Sequence, residues 1–162
     1  MPVEEVIADL KQLSNPARLD SMKRFGIDTS KAIGVPIPDV RRLARQYKKD
    51  QQLSLKLWAT GIHEARILAS VIGDPTQVTQ QQMDNWTKDF NSWDVCDQVC
   101  GNLFDRTPFA VDKAFEYSQH EEEYIKRAGF VLMAELAVHA KNMENEVFMS
   151  FFTIMEREAW DS

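Results

Sequence analysis

The chain has 162 residues, 44% of them hydrophobic, with 19 Lys and Arg against 25 Asp and Glu for a formal charge of −6. That length fits one domain, and the apolar content excludes a disordered or fibrous chain. The charge excludes a uniformly basic nucleic-acid binder but not a basic stripe on an acidic body, and six Gly and six Pro are too few for an all-β sandwich.

The start, Met1-Pro2-Val3-Glu4-Glu5, lacks the basic and apolar regions of a signal peptide. Glu4 to Leu13 reads as an amphipathic helix, and Asn15-Pro16 offers a cap and a proline start for a second helix ending near Arg24. Residues 25–38, with Gly26, Gly34, Pro36 and Pro38, form the one long irregular stretch. A strongly basic helix is predicted from Asp39 to Lys49, and Asp50 can cap the next, which runs to Thr60 before Gly61.

From there the chain repeats its own rhythm. Helices are predicted to begin near 51, 62, 79, 92, 107 and 121, so that alternate members recur every 28–30 residues. Gly61, Gly73-Asp74-Pro75, Asn91-Ser92 and Thr107-Pro108 mark the joints. A recurring helix pair that cannot bury its own apolar face is the mark of an α-solenoid; an ordinary all-α bundle is the alternative. Within that period Arg66, Asp97 and Arg127 are 31 and 30 residues apart. Stacked repeats would set the carboxylate between two arginines on one wall.

The longest apolar run, Ala128 to Ala134, stops at Glu135, far short of a membrane span. A cytoplasmic protein with no membrane partner is therefore expected.

Several catalytic patterns are absent. His63-Glu64 opens like a zinc-protease helix, but Ile67 stands where the second histidine belongs. No Gly-rich phosphate loop or nucleophile elbow occurs. Cys96 and Cys100 share a helical face without a histidine at ligand spacing, and core packing is the better reading. They also lie too close together to staple distant segments. His120 and His139 are isolated.

Arg41, Arg42, Arg45, Lys48 and Lys49 carry no acidic residue among them until Asp50. The run is either a solvated face or a phosphate contact. The most unusual stretch is 91–100, Asn-Ser-Trp-Asp-Val-Cys-Asp-Gln-Val-Cys. Cys96, Val99, Cys100 and Leu103 supply its buried stripe, and Trp93 and Asp97, four apart, project together along the edge. A carboxylate beside an indole at a core boundary is costly unless it is paired or functional. The residues alone leave two accounts open. Asp97 either salt-bridges a neighbouring arginine, with Ser92 or Asp94 as the helix cap, or it does chemistry.

The stretches LWATGIHEARILAS at 57–70, SWDVCDQVCGNLFDRTPFA at 92–110 and KRAGFVLMAELAVHAK at 126–141, in that order and spacing, carry a resemblance. From about Met22 to Ala159 the chain resembles the AlkD-like family of DNA alkylation repair glycosylases. Together with the periodicity, the resemblance implies an all-α, right-handed α-solenoid of about five HEAT-like antiparallel helix pairs, in one domain over 1–162. It also implies that Asp97, the last residue of a W-D-x-x-D motif, is the catalytic carboxylate. Trp93 is then the motif's Trp, and Arg127 of the Lys126-Arg127 pair its basic partner.

The implied activity is excision of cationic N3- or N7-alkylated purines from double-stranded DNA without deep base flipping. Arg66, Lys126, Arg41, Arg42 and Arg45 are the expected DNA contacts, and Glu121-Glu122-Glu123 is expected to face away. Neither metal nor cofactor is expected, and the protein is expected to be a monomer. Family members continue with a further helix pair whose Trp closes the lesion cleft. This sequence stops at Trp160-Asp161-Ser162, so that pair is expected to be missing. The alternative function is a non-catalytic helical-repeat protein that binds DNA structures or a protein partner.

Overall fold

Helices begin where a short polar residue meets an apolar 3.6-residue rhythm. The Asn15 side chain accepts the Ala17 N–H at 3.0 Å ahead of Pro16, Asp50 accepts that of Leu53 at 3.0 Å, and Thr79 that of Gln82 at 3.0 Å. The computed structural model describes residues 2–139 and 145–159, and among these there are helices and no strand. They are α1 (Val3–Gln12), α2 (Pro16–Arg24), α3 (Ile37–Ala44), α4 (Gln51–Ala59), α5 (His63–Ile72), α6 (Gln80–Asp89), α7 (Trp93–Asn102), α8 (Ala110–Ser118), α9 (Glu123–His139) and α10 (Asn145–Ala159), with a 3₁₀ turn at Phe104–Arg106. None is long and apolar enough to cross a membrane.

Successive helices fall into two layers, and side chains about one period apart tie each layer together. In the layer of α4, α6 and α8, Gln51 donates to Gln82 at 2.8 Å and the Trp58 indole to Asp89 at 2.9 Å. The Trp58 and Trp86 rings stack 4.0 Å apart, and Asp84 accepts from Lys113 at 2.9 Å and Tyr117 at 2.6 Å. In the layer of α3, α5, α7 and α9, His63 meets Asp94 at 2.8 Å and Asn102 donates to Ser70 at 3.1 Å. Like ends of α5 and α7 pair in this way, so neighbours within a layer run parallel. The architecture is the expected α-solenoid. Leu57, Leu68, Met83, Leu103, Phe104 and Leu132 fill the space between the layers. Each such side chain contributes about 1.5–3 kcal/mol of burial. α10 closes on the last pair through Phe151, whose ring lies 4.9 Å from Phe115.

The α8–α9 contact is close because Gly129 has no side chain. A Cβ there would lie 2.7 Å from the Ser118 Cα. The irregular stretch before α3 is fixed just as firmly. The Glu64 carboxylate accepts the backbone N–H groups of Ile33, Gly34 and Val35 at 2.8, 2.7 and 3.0 Å. Gly34 adopts φ +88° against Asn15, whose N–H donates to the Gly34 carbonyl at 2.8 Å.

Two predicted elements are corrected. The basic helix ends at Ala44 and not at Lys49, because Gln46 and Tyr47 close a tighter turn on Leu43 and Ala44. Asp50 then takes extended backbone, donates to the Ile72 carbonyl at 2.8 Å and caps α4. Lys48 and Lys49 therefore sit in the connection, and the Lys49 ammonium donates to the Val71 carbonyl at 2.9 Å. The helix expected at 107 starts at Ala110, since the 3₁₀ turn first carries Phe104 into the core. Trp160 and the end of the 126–141 stretch lie outside the described residues.

Candidate nucleic-acid interface

The N-terminus of α7 positions the central residues. Ser92 precedes the helix in extended backbone, and its hydroxyl donates to Asp94 at 2.7 Å. The same Asp94 oxygen accepts the Val95 N–H at 2.9 Å, and its other oxygen meets the His63 ring at 2.8 Å. His63 and Asp94 are only 4% and 2% exposed, so this pair lies directly behind the surface. Burial pushes the Asp94 carboxyl up, but the hydrogen bond and charge of His63, then Ser92 and the Val95 N–H, outweigh it and hold the group below its ordinary value.

With Val95, Cys96, Val99 and Cys100 turned into the core, Trp93 and Asp97 are left one turn apart on the outer edge. Trp93 is 37% exposed and the Asp97 side chain 31%. Arg127 of α9 grips Asp97 in a two-pronged bond, Nε to Oδ1 and Nη2 to Oδ2, both 2.8 Å. Its guanidinium carbon lies 5.8 Å from the centre of the Trp93 ring. The bonds to Asp97 raise the Arg127 pKa above its ordinary value. The Trp93 indole N–H donates to the Phe25 carbonyl at 3.1 Å, which ties the end of α2 to the cluster.

The structure thus brings together Trp93, Asp97 and Arg127. Arg41 joins them from α3, donating to Gln98 at 2.7 Å and to Asn102 at 3.1 Å on α7. Arg42 and Arg45 are exposed on or just after the same helix, Arg42 bridging Asp39 at 3.0 Å. Lys126 is half-buried beside Arg127.

Arg66 is not part of the expected wall. It donates to the Trp58 and Asp89 carbonyls at 3.2 and 3.3 Å, and its guanidinium lies 4.8 Å from the Trp58 ring centre. Equivalent repeat position does not set side-chain direction, and the stacked tryptophans of the other layer offer Arg66 a better seat. The acidic triplet is also nearer than expected. Glu122 caps α9 by accepting the Ile125 N–H at 3.0 Å, and Glu123 shares a helical face with Arg127 four residues on.

Sequence reasoning missed the buried supports of this face. His63 and Asp94 are 31 residues apart, the spacing already noted for Arg66 and Asp97, and that is the signal that could have found them. Glu64 grips backbone N–H groups, which leave no sequence signature. Phe25 opens the stretch that reads as irregular, and its exposure has no local signal. Cys96 and Cys100 are core residues, their sulfurs against the Tyr124 and Ala128 carbonyls.

The Asp97 cluster is partly exposed to solvent. A cavity of about 160 Å³ lies elsewhere, among Asp84, Glu116, Tyr117 and His120, and another of about 320 Å³ lies beside Gln51, Gln82 and Trp86. The arrangement can offer a fixed carboxylate, an indole face and a guanidinium to a ligand too large for a pocket.

A family model described as "DNA alkylation repair enzyme" matches residues 6–161. No curated protein matches the chain significantly. A solved structure described as "A new family of proteins related to the HEAT-like repeat DNA glycosylases with affinity for branched DNA structures" aligns with a TM-score of 0.75. The alignment covers 98% of this chain and 76% of that one at 17% identity. At that identity the likeness shows the fold.

Proposed function

The chain belongs to the DNA alkylation repair enzyme family, and from that premise we propose that it excises cationic N3- or N7-alkylated purines from duplex DNA by hydrolysing the N-glycosidic bond. The observation that carries this reading is the Asp97 carboxylate, held by Arg127 beside a half-exposed Trp93.

An alkylated purine already bears positive charge, so it leaves with the bonding electron pair and needs no general acid. The barrier that remains is the oxocarbenium-like charge at C1′. A carboxylate fixed beside C1′ stabilises that charge and orients the water, whose proton passes to the carboxylate as the new C–O bond forms. The Trp93 face suits the sugar or the cationic base, a contact of roughly 0.5–2 kcal/mol. Two of the five Arg127 N–H donors go to Asp97, and the others suit a flanking phosphate. A half-exposed ion pair of this kind is worth only about 0.2–1 kcal/mol, so DNA can compete for either partner. A carboxylate reachable from solvent also fits a mechanism in which the lesion is not drawn into a deep pocket.

A second reading is a DNA-structure binder without chemistry. It is favoured by the description of the solved relative and by both Asp97 oxygens being taken up by Arg127. Incubation with methylated duplex separates the two. Release of free 7-methylguanine or 3-methyladenine supports the glycosylase. Tight binding to branched DNA with no base released supports the second reading and overturns the first.

A further inference from the structure

We propose that Phe25 is a second aromatic contact of this face, stacking on an unpaired purine held beside Trp93 and Asp97; the proposal rests on the DNA-binding reading above. Phe25 is 67% exposed, yet its backbone N–H is tied to the Met22 carbonyl at 3.1 Å. It ends α2 in a Schellman turn. The Gly26 N–H donates to the Lys23 carbonyl at 3.1 Å, that of Ile27 to the Met22 carbonyl at 3.0 Å, and Gly26 takes φ +75°. Met22 and Ile27 on either side are buried, which drives the chain inward on both flanks and leaves the phenyl ring outside. The Phe25 carbonyl in turn receives the Trp93 indole N–H.

Phe25 and Trp93 are both exposed and are joined through the Phe25 backbone, so two large apolar side chains are left outside the core at one place. Its setting points to the occupant. Lys23 and Arg24 immediately precede it and are exposed, and Arg127 lies over the face of Trp93. Cations interleaved with aromatic faces suit a nucleotide, with charge for the phosphate and a π-face for a base out of its stack. Phe25 and Trp93 are 68 residues apart, so the fold alone joins them.

The test compares affinities for a duplex carrying one bulged adenine and for the matched duplex, at one salt concentration. The wild type is compared with Phe25→Ala, Phe25→Leu and Phe25→Tyr, whose melting temperatures serve as the folding control. The wild type should prefer the bulged duplex. That preference should fall roughly five- to tenfold in the Ala and Leu variants, the low end of losing one base–aromatic stack, and persist in Tyr. Leu keeps the apolar bulk and removes the π-face, so a preference retained in Leu overturns stacking. An unchanged ratio in Phe25→Ala overturns the contact altogether. A wild type that excises methylated purines yet shows no preference overturns this proposal and leaves the glycosylase standing. A wild type that neither binds nor excises overturns both.

Discussion

Asp94 and Asp97 stand three residues apart on α7 and meet opposite environments. Asp94 is buried against His63 and gives up its hydrogen-bonding capacity to the fold, whereas Asp97 faces solvent beside Arg127. Removing one partner of a buried pair strands the other, so His63→Ala should cost about 3–5 kcal/mol of stability in denaturant melts. Asp97→Asn loses a half-exposed bridge and should cost no more than about 1 kcal/mol. The pH dependence carries the same distinction. The Asp94 carboxyl is held below its ordinary value, so its contribution is complete above about pH 4 and is lost as pH falls through the lower folded-state value. Thermal melts between about pH 2 and 5 should show that acid loss in the wild type. Asp94→Asn should be less stable at neutral pH and flatter in that range. A slope unchanged by the substitution would remove Asp94 from the acid response.

At the scale of elements, the helix pairs meet through points of close approach as well as through apolar bulk. Gly129→Ala would press a methyl group into the backbone of Ser118 and force α8 from α9. A loss of about 3 kcal/mol is expected, the upper end of overpacking, read from the denaturant midpoint at constant m. A neutral result would mean that the two helices separate freely. This is also where the sequence was most and least legible. Caps at Asn15, Asp50 and Thr79 and the 28–30-residue rhythm are local signals, and they placed most helix starts within a few residues. The end of α3 is hidden because Gln46 and Tyr47 close a tighter turn on Leu43 and Ala44 inside a run that stays basic to Lys49, with no breaker to mark it. Likewise the 30-residue spacing foretold Asp97 facing Arg127, while the same spacing failed for Arg66 because a stacked indole pair drew its guanidinium aside.

For the whole molecule, the proposed function requires a charge of −6 to coexist with affinity for a polyanion. Arg41, Arg42 and Arg45 on and just after α3, together with Lys126 and Arg127 on α9, are the cations proposed to achieve it, and Arg41 and Arg127 reach α7 from either side. Phosphate contacts position without reading sequence, so binding should be sequence-tolerant and weaken steeply with salt. Arg42→Glu with Arg45→Glu should lower duplex affinity and flatten the salt dependence, and unchanged binding would take α3 out of the interface. The proposed chemistry of this strip rests on Asp97. Single-turnover release of 7-methylguanine from methylated duplex, measured alongside binding for the wild type and Asp97→Asn, tests it most directly. Excision by the wild type should fall about 10²–10³-fold in the variant while the dissociation constant stays within a few-fold, as loss of one electrostatic stabiliser requires. Equal rates in the two proteins, or no release by the wild type, would contradict it.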